Sequence, residues 1–75
     1  MNDKQLDIAY FIAFCVEQYK AQKGMSGAEV MNLFHLYGVD EYLERCYEPL
    51  HTQGARWLMA EIDEFIDMQK KEVVL

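Results

Sequence analysis

His51, Thr52 and Gln53 stand side by side in a Leu50 to Gly54 segment, directly before a stretch of helical periodicity. Unsatisfied amides at a helix start attract anions, so these residue types could hold an anionic ligand or move a proton. A structural reading is simpler. Thr52 caps the following helix, Leu50 anchors the chain in the core, and Gly54 lets the helix start pack closely on a neighbour. An isolated imidazole with no paired nucleophile in sequence reach favours that structural reading.

Cys15, His35, Cys46 and His51 have the types and number of a tetrahedral zinc site. Their spacing argues otherwise, because no two of them share a short knuckle and Cys15 belongs to an apolar stripe. Cys46 is a poor nucleophile, since Glu41, Glu44 and Glu48 around it disfavour the thiolate that attack requires. Glu61, Asp63, Glu64 and Asp67 resemble no calcium loop, and the Asp63, Asp67, Lys71 series follows the i, i+4 logic of a solvated helix face. The expectation is therefore no catalytic, cofactor-binding or metal-binding residue, and a chain that is not an enzyme.

The elements that carry these residues are set by punctuation, since glycine and proline fall between segments of helical period and nothing alternates as a strand does. Helices are predicted roughly over 3-22, 27-37, 41-48 and 53-71. Asn2 or Asp3 can cap the first, which ends before Gly24 with Lys20 and Lys23 near the negative end of its dipole. Ile8, Ile12, Cys15 and Tyr19 form its stripe. Ser26 and Glu29 form a capping box for the second, whose apolar face is Val30, Leu33, Phe34 and Tyr37, with Gly38 as left-handed C-terminal cap. Asp40 is the expected N-cap of the third, which carries Tyr42, Leu43, Cys46 and Tyr47 and stops near Glu48 because Pro49 follows. The fourth opens near Thr52 and turns Leu58, Ile62 and Phe65 inward. The end at Val73, Val74 and Leu75 is compatible both with a continued helix and with fraying.

Seventy-five residues make one domain, here an all-α compact array of three to four helices with the first at its centre. With 52% apolar residues the chain should fold. Thirteen acids against seven bases give a net charge of −6, which repels a phosphate backbone. The excess is uneven: residues 1 to 39 hold four acids and three bases, and 40 to 75 hold nine and four. Two cysteines without CxxC spacing indicate a reducing compartment. The start MNDKQLD lacks a basic leader region, and the apolar run from Ile8 to Val16 is too short to span a bilayer. A cytoplasmic protein with no nucleic-acid or membrane partner is expected.

The run SGAEVMNLFHLYGVDEYLERCYEPLHTQG, followed by WLMAEIDEFI, resembles the uncharacterised bacterial family called domain of unknown function 3791. Its most distinctive pieces are Tyr37 to Val39, Tyr47 to Gly54 and Ile62 to Ile66, and the resemblance covers nearly the whole chain. That family has no assigned activity and no catalytic residues to carry over. Its genes often lie beside one for a predicted ADP-ribosyltransferase-like protein, so the resemblance implies an accessory or neutralising partner for such a protein.

The second and third segments also have the outline of a helix-turn-helix, with glycine in the turn. A DNA-reading helix needs basic or amide side chains, whereas DEYLERCYE offers Arg45 among four acids, so a transcriptional regulator is the runner-up. An apolar excess favours association instead. Leu6, Tyr10, Ala13 and Phe14 make the first helix apolar on its far side too, and Trp57 and Met68 lie off the inward stripe of the last. Either the other helices enclose the first, or a homo-oligomer or protein partner covers it. Tyr10, Phe14, Trp57 and Met68 are the expected interface, and His51, Thr52, Gln53 and Gly54 the expected ligand or structural motif.

Overall fold

Helix α1 of the computed structural model spans Asp3–Lys23, and the structure describes residues 3–73 of the chain. Asn2, a candidate cap, lies outside the described residues, as do Val74 and Leu75. Gly24 ends α1 in the left-handed region at φ 66°, where its N–H and that of Met25 both donate to the Lys20 carbonyl, at 2.8 and 3.2 Å. Ser26 then opens α2 (Gly27–Leu36) with both halves of the capping box made. The Ser26 hydroxyl accepts from the Glu29 N–H at 3.1 Å, and the Glu29 carboxylate accepts from the Ser26 N–H at 2.8 Å. Those bonds, the backbone one foremost, hold the Glu29 carboxyl below its usual range.

Five helices form among the described residues where the sequence predicts three to four, because the segment over 41-48 divides. Helix α3 (Val39–Arg45) starts two residues earlier than expected and its N-cap is Gly38, at φ 73°, not Asp40. Gly38 serves both neighbours: its left-handed turn closes α2, and its carbonyl accepts the first bond of α3, from Tyr42 at 3.0 Å. The carboxylate of Asp40 receives the N–H of Glu41 instead, at 2.9 Å.

At Cys46 the backbone leaves helical geometry (φ −106°, ψ 26°), and a single turn, α4 (Tyr47–Leu50), follows. Pro49 therefore stops nothing. It occupies the first turn of α4, where an N–H would have no partner within the helix and its absence costs little. Helix α5 (Ala55–Val73) begins beyond Thr52, and its first bond runs from the Leu58 N–H to the Gly54 carbonyl at 3.0 Å.

Among the described residues there is no strand, and no helix is long and apolar enough to cross a membrane. The core consists of apolar side chains only, with Cys15, Val30, Phe34, Val39, Leu43, Leu58 and Ile62 fully buried. Helix α1 contacts α2, α3 and α5. It does so through one side, and the buried residues there are Phe11, Cys15, Val16 and Tyr19, while Ile8 and Ile12 are only half-buried. The buried side is thus the expected one, with Phe11 and Val16 in place of Ile8 and Ile12 beside Cys15 and Tyr19, and the helix is not enclosed. Ring contacts lock the elements together. Phe11 meets Tyr47 edge-on at 5.6 Å, Tyr19 meets Phe34 at 5.3 Å, and Tyr42 stacks on Phe65 at 4.3 Å.

Candidate interaction surface

A one-turn helix such as α4 exposes every one of its carbonyls at its end, and the residues after it supply the donors. His51 gives its N–H to Tyr47 O at 2.9 Å, and its Nδ1 lies 2.9 and 2.8 Å from the carbonyls of Tyr47 and Glu48. Carbonyls only accept, so Nδ1 carries the proton. Thr52 Oγ1 donates to Pro49 O at 3.2 Å and the Gln53 N–H to Leu50 O at 3.1 Å. The His51 to Gln53 segment therefore closes the C-terminus of α4. Thr52 does not cap the helix that follows, and Gly54 has no neighbour that a side chain there would meet within 4 Å. The His51 ring also stacks on Tyr47, at 4.4 Å and 11°.

The groups with chemical potential are dispersed. Cys15 is buried, and loss of solvation pushes its thiol up to about 12, far from a reactive thiolate. Cys46 is half-buried, and both cysteines are free. His35, fully on the surface, lies 3.3 Å from Asp40 through Nδ1. Among the described residues no three His, Cys, Asp or Glu side chains come together as metal ligands.

The acids of α5 are not one solvated face. Asp63 accepts the Tyr19 hydroxyl at 2.7 Å and pairs with Lys23 at 2.9 Å, while Glu61 accepts the Tyr42 hydroxyl at 2.7 Å. Burial, reinforced by the facing carboxylate, raises both phenols, that of Tyr42 to about 12. Glu64 and Asp67 are exposed. These two couplings went unread in the sequence because their partners are 44 and 19 residues apart. A hint was present in tyrosines at core-facing positions, since a buried phenol needs an acceptor.

Opposite the buried side of α1, Leu6, Tyr10 and Phe14 form an exposed apolar row at i, i+4, i+8, with Tyr10 66% exposed. Grooves flank this row on both sides. One, of about 390 Å³, runs between α1 and the α4 to α5 connection and brings Tyr10 and Phe14 together with Tyr47, His51 and Gln53. The other, of about 420 Å³, lies toward α2 and is lined by Ala9, Ile12, Ala13, Val16, Glu17 and Met31. Thus two residues expected at an interface and two of the Leu50 to Gly54 motif share one surface. Trp57 and Met68 are also exposed, but they line neither groove. At eleven residues' separation they share another face, that of α5, with Glu61 and Glu64 between them.

What these features define is a small all-helical domain with an open apolar face on its first helix. The chain belongs to the family described as protein of unknown function (DUF3791), whose model matches residues 10–69. That span contains Tyr10, Phe14 and the whole of the α4 closure, and ends within α5. No match was found among curated proteins or among solved structures.

Proposed function

We propose that this chain is a non-catalytic protein-protein interaction module, and that the exposed row of α1 is its contact surface. The observation that carries this reading is the exposure of Leu6, Tyr10 and Phe14 together on one helix face. Burying a large apolar side chain is worth about 1.5 to 3 kcal/mol, and aromatic rings dominate interface energetics. A small domain leaves such a row in water only at a cost that a second chain removes.

The polar inventory supports the same reading. The imidazole of His51 is held at Nδ1 by two carbonyls, the hydroxyl of Thr52 by a third, and Cys15 is sealed in the core. The family resemblance adds the accessory or neutralising partner of an ADP-ribosyltransferase-like protein as the role to test. An acidic α5, with Glu61 and Glu64 between Trp57 and Met68, would add a contact to a basic surface on such a partner beside the one that the α1 row makes.

The helix-turn-helix outline of α2 and α3 favours DNA less. The exposed side chains of α3 are Glu41, Glu44 and Arg45, and a net charge of −6 opposes a phosphate backbone. No DNA affinity above background is expected at physiological salt, and a sequence-selective shift on the gene's own promoter would reverse that order.

The test is native isolation of the tagged chain from its host beside a Tyr10→Ser, Phe14→Ser variant. The wild type should carry a stoichiometric companion, a second copy or a different protein, which the folded variant lacks. A wild type that emerges alone, or a variant that keeps the companion, contradicts the proposal.

A further inference from the structure

Along the open side of α1, Asp3, Leu6, Tyr10, Ala13, Glu17 and Lys20 succeed one another at alternating steps of three and four residues. Such a series lies along one helix face, and its apolar middle of Leu6, Tyr10 and Ala13, with charged residues at both ends, is what a short pairing seam requires. The first five are exposed and Lys20 is half-buried, so the seam is free over most of the length of α1. Twenty-one residues make that length about 31 Å.

Which helix fits the seam follows from its composition. We propose that a second copy of this chain covers the open face of α1, the two helices running antiparallel with Tyr10 against the partner's Ala13. This proposal rests on the interaction reading above and names its occupant. In that register the two-fold axis passes between Phe11 and Ile12, and every layer joins unlike residues. A large ring lies on a methyl group at Tyr10 and the partner's Ala13. Leu6 lies along the stem of the partner's Glu17, and Asp3 faces the partner's Lys20, whose ammonium already stands 3.2 Å from its own chain's Glu17.

Two other symmetric arrangements fail on the same residues. A parallel pair sets Asp3 on Asp3 and Glu17 on Glu17, two like-charge layers, with Tyr10 on Tyr10 overfilled and Ala13 on Ala13 empty. An antiparallel pair centred on Tyr10 sets Asp3 against the partner's Glu17. Only unlike neighbours relieve both the charge and the volume. Phe14 and the groove that holds Gln53 and His51 flank the seam on one side, so the pairing also covers part of that groove.

Leu6→Cys and Glu17→Cys test the register directly, because these positions face each other across the proposed seam. Within one chain they are about 16 Å apart along the helix, too far for a disulfide to close internally. Under mild oxidation the double variant should run as a covalent dimer, whereas each single variant and the wild type, whose own cysteines are buried or half-buried, should not. Unmodified wild type should sediment at twice the monomer mass, and Ala13→Arg, at an exposed site, should halve that mass while keeping its melting transition. Self-linking single variants would overturn the antiparallel register. A monomeric wild type that carries a different stoichiometric companion, lost on Tyr10→Ser with Phe14→Ser, would overturn self-pairing while the interaction reading stands. A monomeric wild type with no companion would overturn both.

Discussion

The two sides of α1 have nearly the same composition and opposite circumstances. Facing inward, Phe11, Cys15, Val16 and Tyr19 are buried, and the one polar atom among their side-chain tips that needs an acceptor has it in Asp63 at 2.7 Å. Facing outward, Leu6, Tyr10 and Phe14 lie in the open with grooves on either side. Apolarity therefore does not distinguish the core side of this helix from its open side. What distinguishes them is whether the surrounding elements of a short chain cover that side, and here the side bearing Leu6, Tyr10 and Phe14 stays exposed while α1 packs on α2, α3 and α5.

The sharpest contrast lies between an inward ring and the outward pair. Phe34 is fully buried against Tyr19, so Phe34→Ala should cost about 3 to 5 kcal/mol, enough to abolish a cooperative melt in a domain this small. Circular dichroism during a thermal scan reads that loss. Tyr10→Ser with Phe14→Ser removes more ring area, yet it should leave helicity and the melting transition in place at a dilution where the chain is monomeric. Equal damage from both changes would erase the distinction between the sides.

A smaller effect concerns two phenols on the inward side. Tyr19 and Tyr42 are raised above the ordinary phenol value of 10.0, chiefly by burial and then by the carboxylates they face. A group whose folded pKa is raised stabilises the fold fully below the unfolded value and loses that contribution as the pH climbs through the folded one. Stability should accordingly fall between pH 10 and about 12 for Tyr42, with Tyr19 extending the loss upward. Melting temperature against alkaline pH should decline less steeply in Tyr42→Phe than in the wild type.

The smallest effects compare two hydroxyls. Ser26→Ala removes half of a complete capping box and should cost about 1 kcal/mol in urea unfolding. Thr52→Ala removes one exposed bond to the Pro49 carbonyl and should stay within about 0.5 kcal/mol. A reversed order would return Thr52 to the role of an N-cap, or promote the segment to a site.

Local signals were the legible part of this fold. The capping box at Ser26, the left-handed Gly24 and Gly38, and the inward turn of Val30, Phe34, Leu58 and Ile62 all follow from residues within one or two turns. Pro49 misled because a proline is compatible with the first turn of a helix as well as with the end of one, and sequence alone does not say which. Thr52 misled for a related reason: a hydroxyl between two helices can serve either end, and α4 proved to be the one with carbonyls to close. The exposed row on α1 was legible as a surplus of apolar side chains. The grooves beside it were not, since they join α1 to residues of α2, α4 and α5 that meet only in the folded chain.

Sedimentation velocity of the wild type and of Tyr10→Ser with Phe14→Ser, each beside its thermal melt, tests most directly whether the outward side of α1 is a contact surface. The expected outcome is a wild type heavier than a monomer and a double variant that is monomeric and still melts cooperatively. A monomeric wild type that binds no host protein, together with a double variant that has lost its transition, would make Tyr10 and Phe14 ordinary core and leave the interaction surface without a physical basis.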